Sequence, residues 1–469
     1  MQKSEFVSFV RKALPSPKKL TEISRSVGLF QRAARKVFPA DLLRAVILAI
    51  ADQVPHSRGI AQKIASLSGG AGPSRQAVWK RLRCESAPLF FLRAFECVLA
   101  HQILRIPIPA ELIKGPCSGF ARVLVEDGSI IPLHPSLAED FVGTSNQYGT
   151  VASMRLRWVF DLISGQTIDS DLRFGRDNDM STANDILELL REGDLLLRDM
   201  GYFCLDCFER ISRAGAFYIT RIPAGTTITL LDTGRSKLIG VLRRAKRDKI
   251  KELELDAEVG TDRAVRGRLV AVQISAEKAA EARRKLRQRR RAHGRQPTLA
   301  ELDQCDWALV FTNVPTDRLA AADIADLYRA RWAVETFFKG LKSGQGLNKW
   351  SKHRANCYAL ECMAIGHMIL GVLSLNLWRI MGRQLLEHSR EGARRPRGNH
   401  EVQAPGTGGN RVRFIGPLMA MESIPGLLEK MFGGLLRGCR LDEEITNTIR
   451  YVTQELRNRS CSDARIFGF

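Results

Sequence analysis

Residues 326–350 read DLYRARWAVETFFKGLKSGQGLNKW, an amphipathic segment in which four polar side chains recur at helical spacing. These are Tyr328, Arg331, Glu335 and Lys342. On one continuous helix they would share a stripe about 60° wide beside a separate apolar face. A solvated face with an Arg331–Glu335 ion pair worth about 0.3–0.5 kcal/mol would give the same pattern. The rest of the chain must distinguish a functional stripe from a solvated one.

Length, charge and cysteine content limit the class of protein. The chain has 469 residues, 45% of them hydrophobic, which is enough for more than one domain. Its 72 Lys and Arg against 50 Asp and Glu give a formal charge of +22, which favours nucleic acid as the partner. The ten cysteines are irregularly spaced and the start lacks a secretory pattern, so we predict a cytoplasmic location.

One apolar run, residues 358–378, is long enough to suggest a membrane span. Glu361, His367 and Asn376 interrupt it, and nothing else in the chain resembles a span. We therefore predict a buried helix and no membrane partner.

Residues 1–115 form a basic region with helical patterning. Within it, residues 57–83 read as a helix, a Gly-rich turn and a second helix after Ser74. The second helix carries Arg75, Lys80 and Arg81, as expected for a helix-turn-helix that enters a DNA major groove. A helical bundle with a solvated basic face is an equally good interpretation.

The next region changes to strand patterning. Residues 120–222 contain three strands with short links, a helix after Ser181, a fourth strand, a helix and a fifth strand, which predicts a mixed α/β sheet. Residues 223–305 interrupt this sheet with short β-like pieces and an Arg-rich segment. Residues 306–385 resume it and include the quoted segment. Residues 386–469 are predicted to be a flexible linker and a small helical tail.

Three carboxylates stand out at the ends of these elements. Asp127 ends the first strand, Asp199 follows the fourth, and Glu335 lies on the later helix. Sites in open α/β sheets gather beyond the carboxyl ends of strands, and clustered carboxylates suit Mg²⁺. Strand-end acids also often only cap turns, and other acids of the same sheet compete for the role. The competitors are Glu126, Asp161, Asp169, Asp171 and Asp194.

Three motifs together resemble those of a known family. They are DGS at 127–129, DMGYF at 199–203, and the spacing Tyr328-x₂-Arg331-x₃-Glu335-x₆-Lys342. This set is similar to the signatures of bacterial insertion-sequence DDE transposases, in the group that carries a Tyr-Arg-Glu-Lys signature. The resemblance covers about residues 120–385. It implies an RNase H-like mixed-sheet catalytic core interrupted by a β-rich insertion, with the basic helical region binding DNA.

The resemblance also implies roles for individual residues. Asp127, Asp199 and Glu335 would be catalytic and would hold two Mg²⁺ ions, for which Mn²⁺ can substitute. The remaining signature residues, Tyr328, Arg331 and Lys342, would contact DNA phosphates. Two tryptophans are added as DNA contacts. Trp332 matches a common family position, and Trp307 would stack a flipped base unless it is a core residue.

The implied activity is DNA transposition. The protein would bind the ends of its element as a homodimer, cleave the DNA strands and join the 3′-hydroxyls to double-stranded target DNA. Two rival hypotheses are a transposase-derived DNA-binding regulator without catalysis and a metal-dependent nuclease without strand transfer. The three acids argue against the regulator, because a protein that only binds DNA does not need them.

Overall fold

The computed structural model places most of the chain up to residue 394. It describes residues 13–32, 36–70, 72–101, 115–146, 149–223, 225–230, 234–260, 264–292, 294–329, 331–351 and 356–394, with side chains of the last segment described to 376. The predicted tail from 395 to 469 lies outside the described residues.

The amino-terminal region is helical, as its patterning predicted. Its helices are α1 (Pro17–Ser26), α2 (Pro39–Ala51), α3 (Ser57–Ser68), α4 (Arg75–Leu82) and α5 (Ser86–Ala100). A proline in the first turn and a Ser16 side chain that accepts from Lys19 N start α1, and Ser74 caps α4 by accepting from Ala77 N. The almost wholly apolar α2 is buried in the main core of the molecule.

A single mixed sheet forms the centre of the protein. Its first six strands are β1 (Val123–Pro132), β2 (Val142–Asn146), β3 (Gly149–Asp161), β4 (Thr167–Phe174), β5 (Leu195–Arg198) and β6 (Phe217–Arg221). The strands β1, β5 and β6 are mutually parallel neighbours, and β3 pairs antiparallel with both β1 and β4. Helix α6 (Leu205–Arg213) connects β5 to β6. This mixed sheet fits an RNase H-like core.

The inserted segment adds to the same sheet. Its elements are β7 (Thr227–Leu230), β8 (Gly234–Lys237), α7 (Leu238–Arg247), β9 (Glu252–Val259), β10 (Val265–Gln273), α8 (Ala276–Ala292) and α9 (Leu299–Gln304). They precede β11 (Trp307–Thr312), which pairs antiparallel with both β6 and β10. The insertion therefore extends the central sheet through β11 and is not a detached β unit.

The single helix expected over residues 326–350 is divided, so that prediction was wrong. The segments are α10 (Ala321–Arg329), α11 (Trp332–Lys339), a π-helical turn (Gly340–Gly344) and α12 (Leu347–Trp350). Arg331 N bonds to Tyr328 O in a tight turn, and Gln345 N bonds to Gly340 O across the wider π-turn. Gly346 then takes a left-handed conformation, with φ 77°, which a glycine adopts without strain.

Two further boundaries differ from the sequence prediction. The helix expected after Ser181 is only a 3₁₀ turn, Ala183–Glu188, with backbone bonds of the i→i+3 kind. The chain turns soon afterwards at Gly193, which has a positive φ. The last helix, α13 (Cys357–Arg394), continues beyond residue 385, where the linker was predicted to begin.

The apolar part of α13 is a core helix. Among the described residues one helix is long and apolar enough to cross a membrane, and it is Cys357–Asn376. However, 78% of that window is buried, against α2 and α5 in particular. The structure therefore agrees with the predicted buried helix.

Candidate active site

Asp199 directly follows β5, whereas Asp127 lies within β1 opposite Trp158, because β1 continues to Pro132 and is longer than the sequence predicted. Both aspartates lie just beyond the point where the parallel pairing of β1 with β5 ends. In the pairing of β1 with β5, Val123 lies opposite Leu195 and Val125 opposite Leu197. The same register, carried forward, brings Glu126 beside Arg198, and these two side chains form an ion pair. Asp127 and Asp199 are the next residues along these two segments, so both lie at the same edge of the parallel strand pair.

Asp127 lies in a largely buried, negatively charged environment. Its Oδ1 accepts from Gly128 N at 2.8 Å, and its Oδ2 accepts from Arg331 Nη1 at 3.1 Å. Burial, with smaller contributions from the charges of Glu335 and Asp199, raises the pKa of the Asp127 carboxyl to about 6 against the lowering effects of Arg331 and the Gly128 bond. Glu335 and Asp199 therefore both lie close enough to Asp127 for their charges to act on it.

Asp199 meets the first residue of the signature. The Tyr328 hydroxyl lies 3.4 Å from Asp199 Oδ1 and 3.2 Å from the Arg198 carbonyl oxygen, so the end of α10 is held against the end of β5. Burial raises the pKa of Tyr328, and the Asp199 charge adds to that rise. Tyr328 is thus a neutral hydroxyl beside the second acid.

Arg331 lies between the first and third carboxylates. Its guanidinium donates to Asp127 and also forms an ion pair with Glu335 one turn later. The residue is only 8% exposed. Burial is the largest single influence and lowers its pKa, but Tyr328 and the three carboxylates together raise the pKa above its ordinary value. The Arg331–Glu335 pair that the sequence allowed is present, but its arginine is buried and also bonded to Asp127, while Glu335 is 43% exposed.

Lys342 completes the signature from the π-helical turn. Burial lowers the pKa of its ammonium group, and the Asp127 charge opposes that shift. All four signature residues thus reach the same edge of the sheet, although they come from α10, the turn after it, α11 and the π-helical turn. Turns of this kind are frequent at functional sites, where they re-aim side chains.

The competing acids have structural partners. Glu126 pairs with Arg157 and Arg198, while Asp194 pairs with Arg122. Asp169 and Asp171 contact Arg157. Asp161 accepts from Val123 N at 3.1 Å and from two backbone N–H groups of the following turn. Pairing and turn capping thus account for all five competitors.

The carboxylates at this edge are of the right chemical type to bind a divalent metal ion, but their side chains are not arranged as they would be around one. Asp127, Asp199 and Glu335 supply the hard oxygen ligands that Mg²⁺ prefers. Among the described residues, no three His, Cys, Asp or Glu side chains are grouped closely enough to ligate one ion. Arg331 lies where it bridges Asp127 and Glu335, so ligation by both would require this guanidinium to move.

The glycines of two motifs make room for a fourth acid that the sequence analysis missed. A Cβ at Gly201 would lie 2.7 Å from Asp179 Oδ2, and one at Gly128 would lie 3.2 Å from Asp179 Oδ1. Asp179 forms an ion pair with Arg155 of β3 at this point. Because Asp179 is distant in sequence from both motifs, only the fold could reveal it.

The remaining predicted DNA contacts are placed differently from one another. Arg75 and Lys80 are exposed on α4. Arg81 instead packs over the Phe30 ring and donates to Leu29 O at 2.9 Å. Sequence analysis missed Trp79 on the same helix, which is 48% exposed and lies under the Arg83 guanidinium.

Of the two added tryptophans, only the side chain of Trp307 belongs to the described part of the chain. Trp307 begins β11 and is 5% exposed within the second core cluster, which favours the core interpretation. The side chain of Trp332 lies outside the described residues.

Comparison with known proteins identifies the family. A family model described as "Transposase DDE domain" matches residues 118–369, more than half of the chain. The chain belongs to the DDE transposases. This confirms the family that the three motifs indicated.

Curated relatives of this transposase are insertion-sequence proteins. It is 22% identical over 399 residues to the transposase for element IS231C of Bacillus thuringiensis subsp. berliner, with 80% of each chain covered. It is 27% identical over 336 residues to the transposase for IS421 of Escherichia coli, with 70% of this chain and 82% of the relative covered. The Drosophila P element transposase strand transfer complex matches with a TM-score of 0.20 and 11% identity over 94% of this chain and all of that one, too distant to carry an argument.

Proposed function

We propose that this transposase cleaves the DNA strands at the ends of its own element and joins the freed 3′-hydroxyls to target DNA. The observation that carries the proposal is the convergence of Asp127, Asp199 and Glu335 with two cations at one edge of the sheet. Acids that only cap turns or pair with structural cations would not require this convergence.

The carboxylates of Asp127, Asp199 and Glu335 are proposed to hold two Mg²⁺ ions. These ions would activate a water or a 3′-hydroxyl for in-line attack on a phosphodiester and stabilise the leaving oxygen. Asp127 must be ionised to act as a ligand, and its raised pKa makes this ionisation sensitive to pH near 6. The backbone N–H of Gly128 helps to orient its carboxylate.

The signature cations are proposed to bind the scissile strand. Arg331 offers a planar fork suited to two phosphate oxygens, and it would exchange Asp127 and Glu335 for phosphate as the site assembles. Lys342 would supply a point charge, while the Tyr328 hydroxyl would orient Asp199 or a nearby phosphate. Arg75 and Lys80 of α4, with Trp332, are proposed as further DNA contacts.

The partners follow from the charge and the reaction. A formal charge of +22 supports binding to double-stranded DNA, both element ends and target. We propose a homodimer that pairs the two ends, acting in the cytoplasm on the nucleoid.

The decisive test uses DNA that flanks the transposase's own gene. The protein should release the element and produce joined products in Mg²⁺, and neither product should form with a chelator present. End binding without cleavage would favour the regulator hypothesis. Cleavage without joined products would favour the nuclease.

A further inference from the structure

The residues immediately before the two aspartates carry opposite charges and are completely buried. Glu126 is 0% exposed and Arg198 is 1% exposed. Arg198 Nε donates to Glu126 Oε2 at 2.6 Å, directly across the β1–β5 pair. Side chains alternate between the faces of a sheet, so Glu126 lies on the face opposite to Asp127.

A second arginine completes the pair from the other side. Arg157 of β3 donates from Nε to Glu126 Oε1 at 2.6 Å and is 2% exposed. Each carboxylate oxygen of Glu126 therefore has its own guanidinium, and three neighbouring strands are joined behind the site. Arg157 also forms ion pairs with Asp169 and Asp171 of β4. These two acids share its positive charge while its bond to Glu126 is kept.

Stability alone does not explain why these three charged side chains are buried here. Well-packed apolar side chains of similar volume often stabilise a core as well as or better than a buried ion pair. An apolar core lacks direction, however, whereas hydrogen-bonded charges fix how far apart and in which register two backbones lie. At this position that register determines the separation of Asp127 and Asp199.

We propose that Glu126, with Arg157 and Arg198, is a positioning cluster that sets the spacing of the two aspartate metal ligands. The inference rests on the proposed metal-dependent function. None of the three residues reaches the site itself, since each acts through the strand that carries it.

The same two strands offer a matched control. At their opposite end, Arg122 Nε donates to Asp194 Oδ1 at 3.0 Å, and Asp194 is 0% exposed. This pair likewise joins an arginine to a fully buried acid across the same two strands, with the Arg122 side chain 16% exposed, but no metal ligand adjoins it. Substitution there should cost stability without affecting metal.

The experiment measures Mn²⁺ binding to the full-length protein without DNA, by electron paramagnetic resonance, in parallel with thermal unfolding. Glu126→Gln should weaken Mn²⁺ binding about 10-fold, as loss of an outer-shell partner does. Asp194→Asn should lower the unfolding temperature but keep wild-type Mn²⁺ affinity. Unchanged affinity in Glu126→Gln, or an equal loss in both variants, would overturn the positioning role.

Two more variants keep the result interpretable. If Glu126→Gln does not fold, the apolar double variant Glu126→Leu/Arg198→Met replaces it and should fold with weakened Mn²⁺ binding, whereas full affinity in it would refute the inference. Asp199→Asn tests the proposed function separately. If Asp199→Asn binds Mn²⁺ like the wild type, the metal site is wrong and the positioning role falls with it; if only the Glu126 variants match wild type, this inference alone fails.

Discussion

The two ends of the β1–β5 strand pair are built alike but serve different purposes. At the amino end, Arg122 and Asp194 form a buried pair, and Asp194 also accepts from Arg191 N, so its carboxylate is fully used in local structure. At the carboxyl end, Glu126 and Arg198 form the equivalent pair. Only there does an acid follow on each strand, and those acids contact residues from a distant part of the chain.

The difference shows how a carboxylate at a strand end can be classified. A structural acid has its oxygens occupied by backbone N–H groups or by arginines that hold the sheet together, as Asp161 and Asp194 do. A candidate catalytic acid is partnered by a signature side chain that phosphate or metal can replace, as Asp127 is by Arg331. Sequence position alone does not separate the two classes.

The largest effect should come from comparing two variants, each of which replaces one acid by its amide at one end of the β1–β5 strand pair. Asp199→Asn should reduce end cleavage by about 10³-fold or more while the protein still binds DNA, because a metal ligand is lost. Asp194→Asn should retain cleavage but lose about 1–3 kcal/mol of unfolding free energy, because it leaves Arg122 without its buried partner. Strand-cleavage assays and chemical denaturation measure both, and equal cleavage in the two variants would remove the distinction between the ends.

A smaller effect is expected from the cation at the carboxyl end. Arg331→Ala should weaken end binding and reduce the salt slope of log K by about 1, because one phosphate contact is lost. Lys339→Ala, which removes an exposed cation at the end of the helix that follows Arg331, is the control and should change little. Fluorescence anisotropy over a series of salt concentrations gives both values. A salt slope equal to that of the wild type would show that Arg331 serves only the carboxylates.

The raised pKa of Asp127 predicts a pH effect of definite sign. Its folded-state value of about 6 exceeds the ordinary value of 3.8, so its titration favours the folded state below about pH 4, and that contribution is lost as the pH rises through 6. Asp127→Asn should therefore stabilise the metal-free protein at pH 8, by at most about 3 kcal/mol, and have little effect at pH 4. Denaturation at both pH values, in a chelator, measures this. A larger gain at pH 4 than at pH 8 would contradict the assigned environment.

The smallest effect should come from the glycine of the second motif. In Gly201→Ala the new methyl group would displace the flexible Asp179 side chain, so the Arg155 pair should weaken at a cost of about 0.5–1 kcal/mol. Gly225→Ala, where the added methyl group would meet open space, is the control. Thermal unfolding that ranks Gly225→Ala as the more harmful change would argue against this packing.

The motifs predicted much of the site because they are local. Strand patterning placed Asp199 correctly at a strand end but ended the first strand at Asp127, whereas that strand continues to Pro132. The helical spacing of the signature indicated that Arg331 and Glu335 meet. The pairing of Glu126 with Arg157 and Arg198 could not be read from the sequence, since the partners are 31 and 72 positions away. Long-range pairing depends on strand order, which no local pattern encodes.

The errors also have physical causes. A continuous helix over 326–350 satisfied the apolar periodicity, but the wide turn from Gly340 and the left-handed Gly346 depend on tertiary packing. Trp307 illustrates the same limit. Its residue type suits DNA contact, yet its burial in the second core cluster is decided by the fold.

Glu335 is the best position at which to test whether three carboxylates from separate elements serve one catalytic site. Glu335→Gln keeps the size of the side chain and removes its charge, so end DNA should be bound with near wild-type affinity and should not be cleaved in Mg²⁺. The measurement is single-turnover cleavage of matched end DNA, with anisotropy on the same samples. Cleavage by Glu335→Gln at the wild-type rate would contradict the shared site.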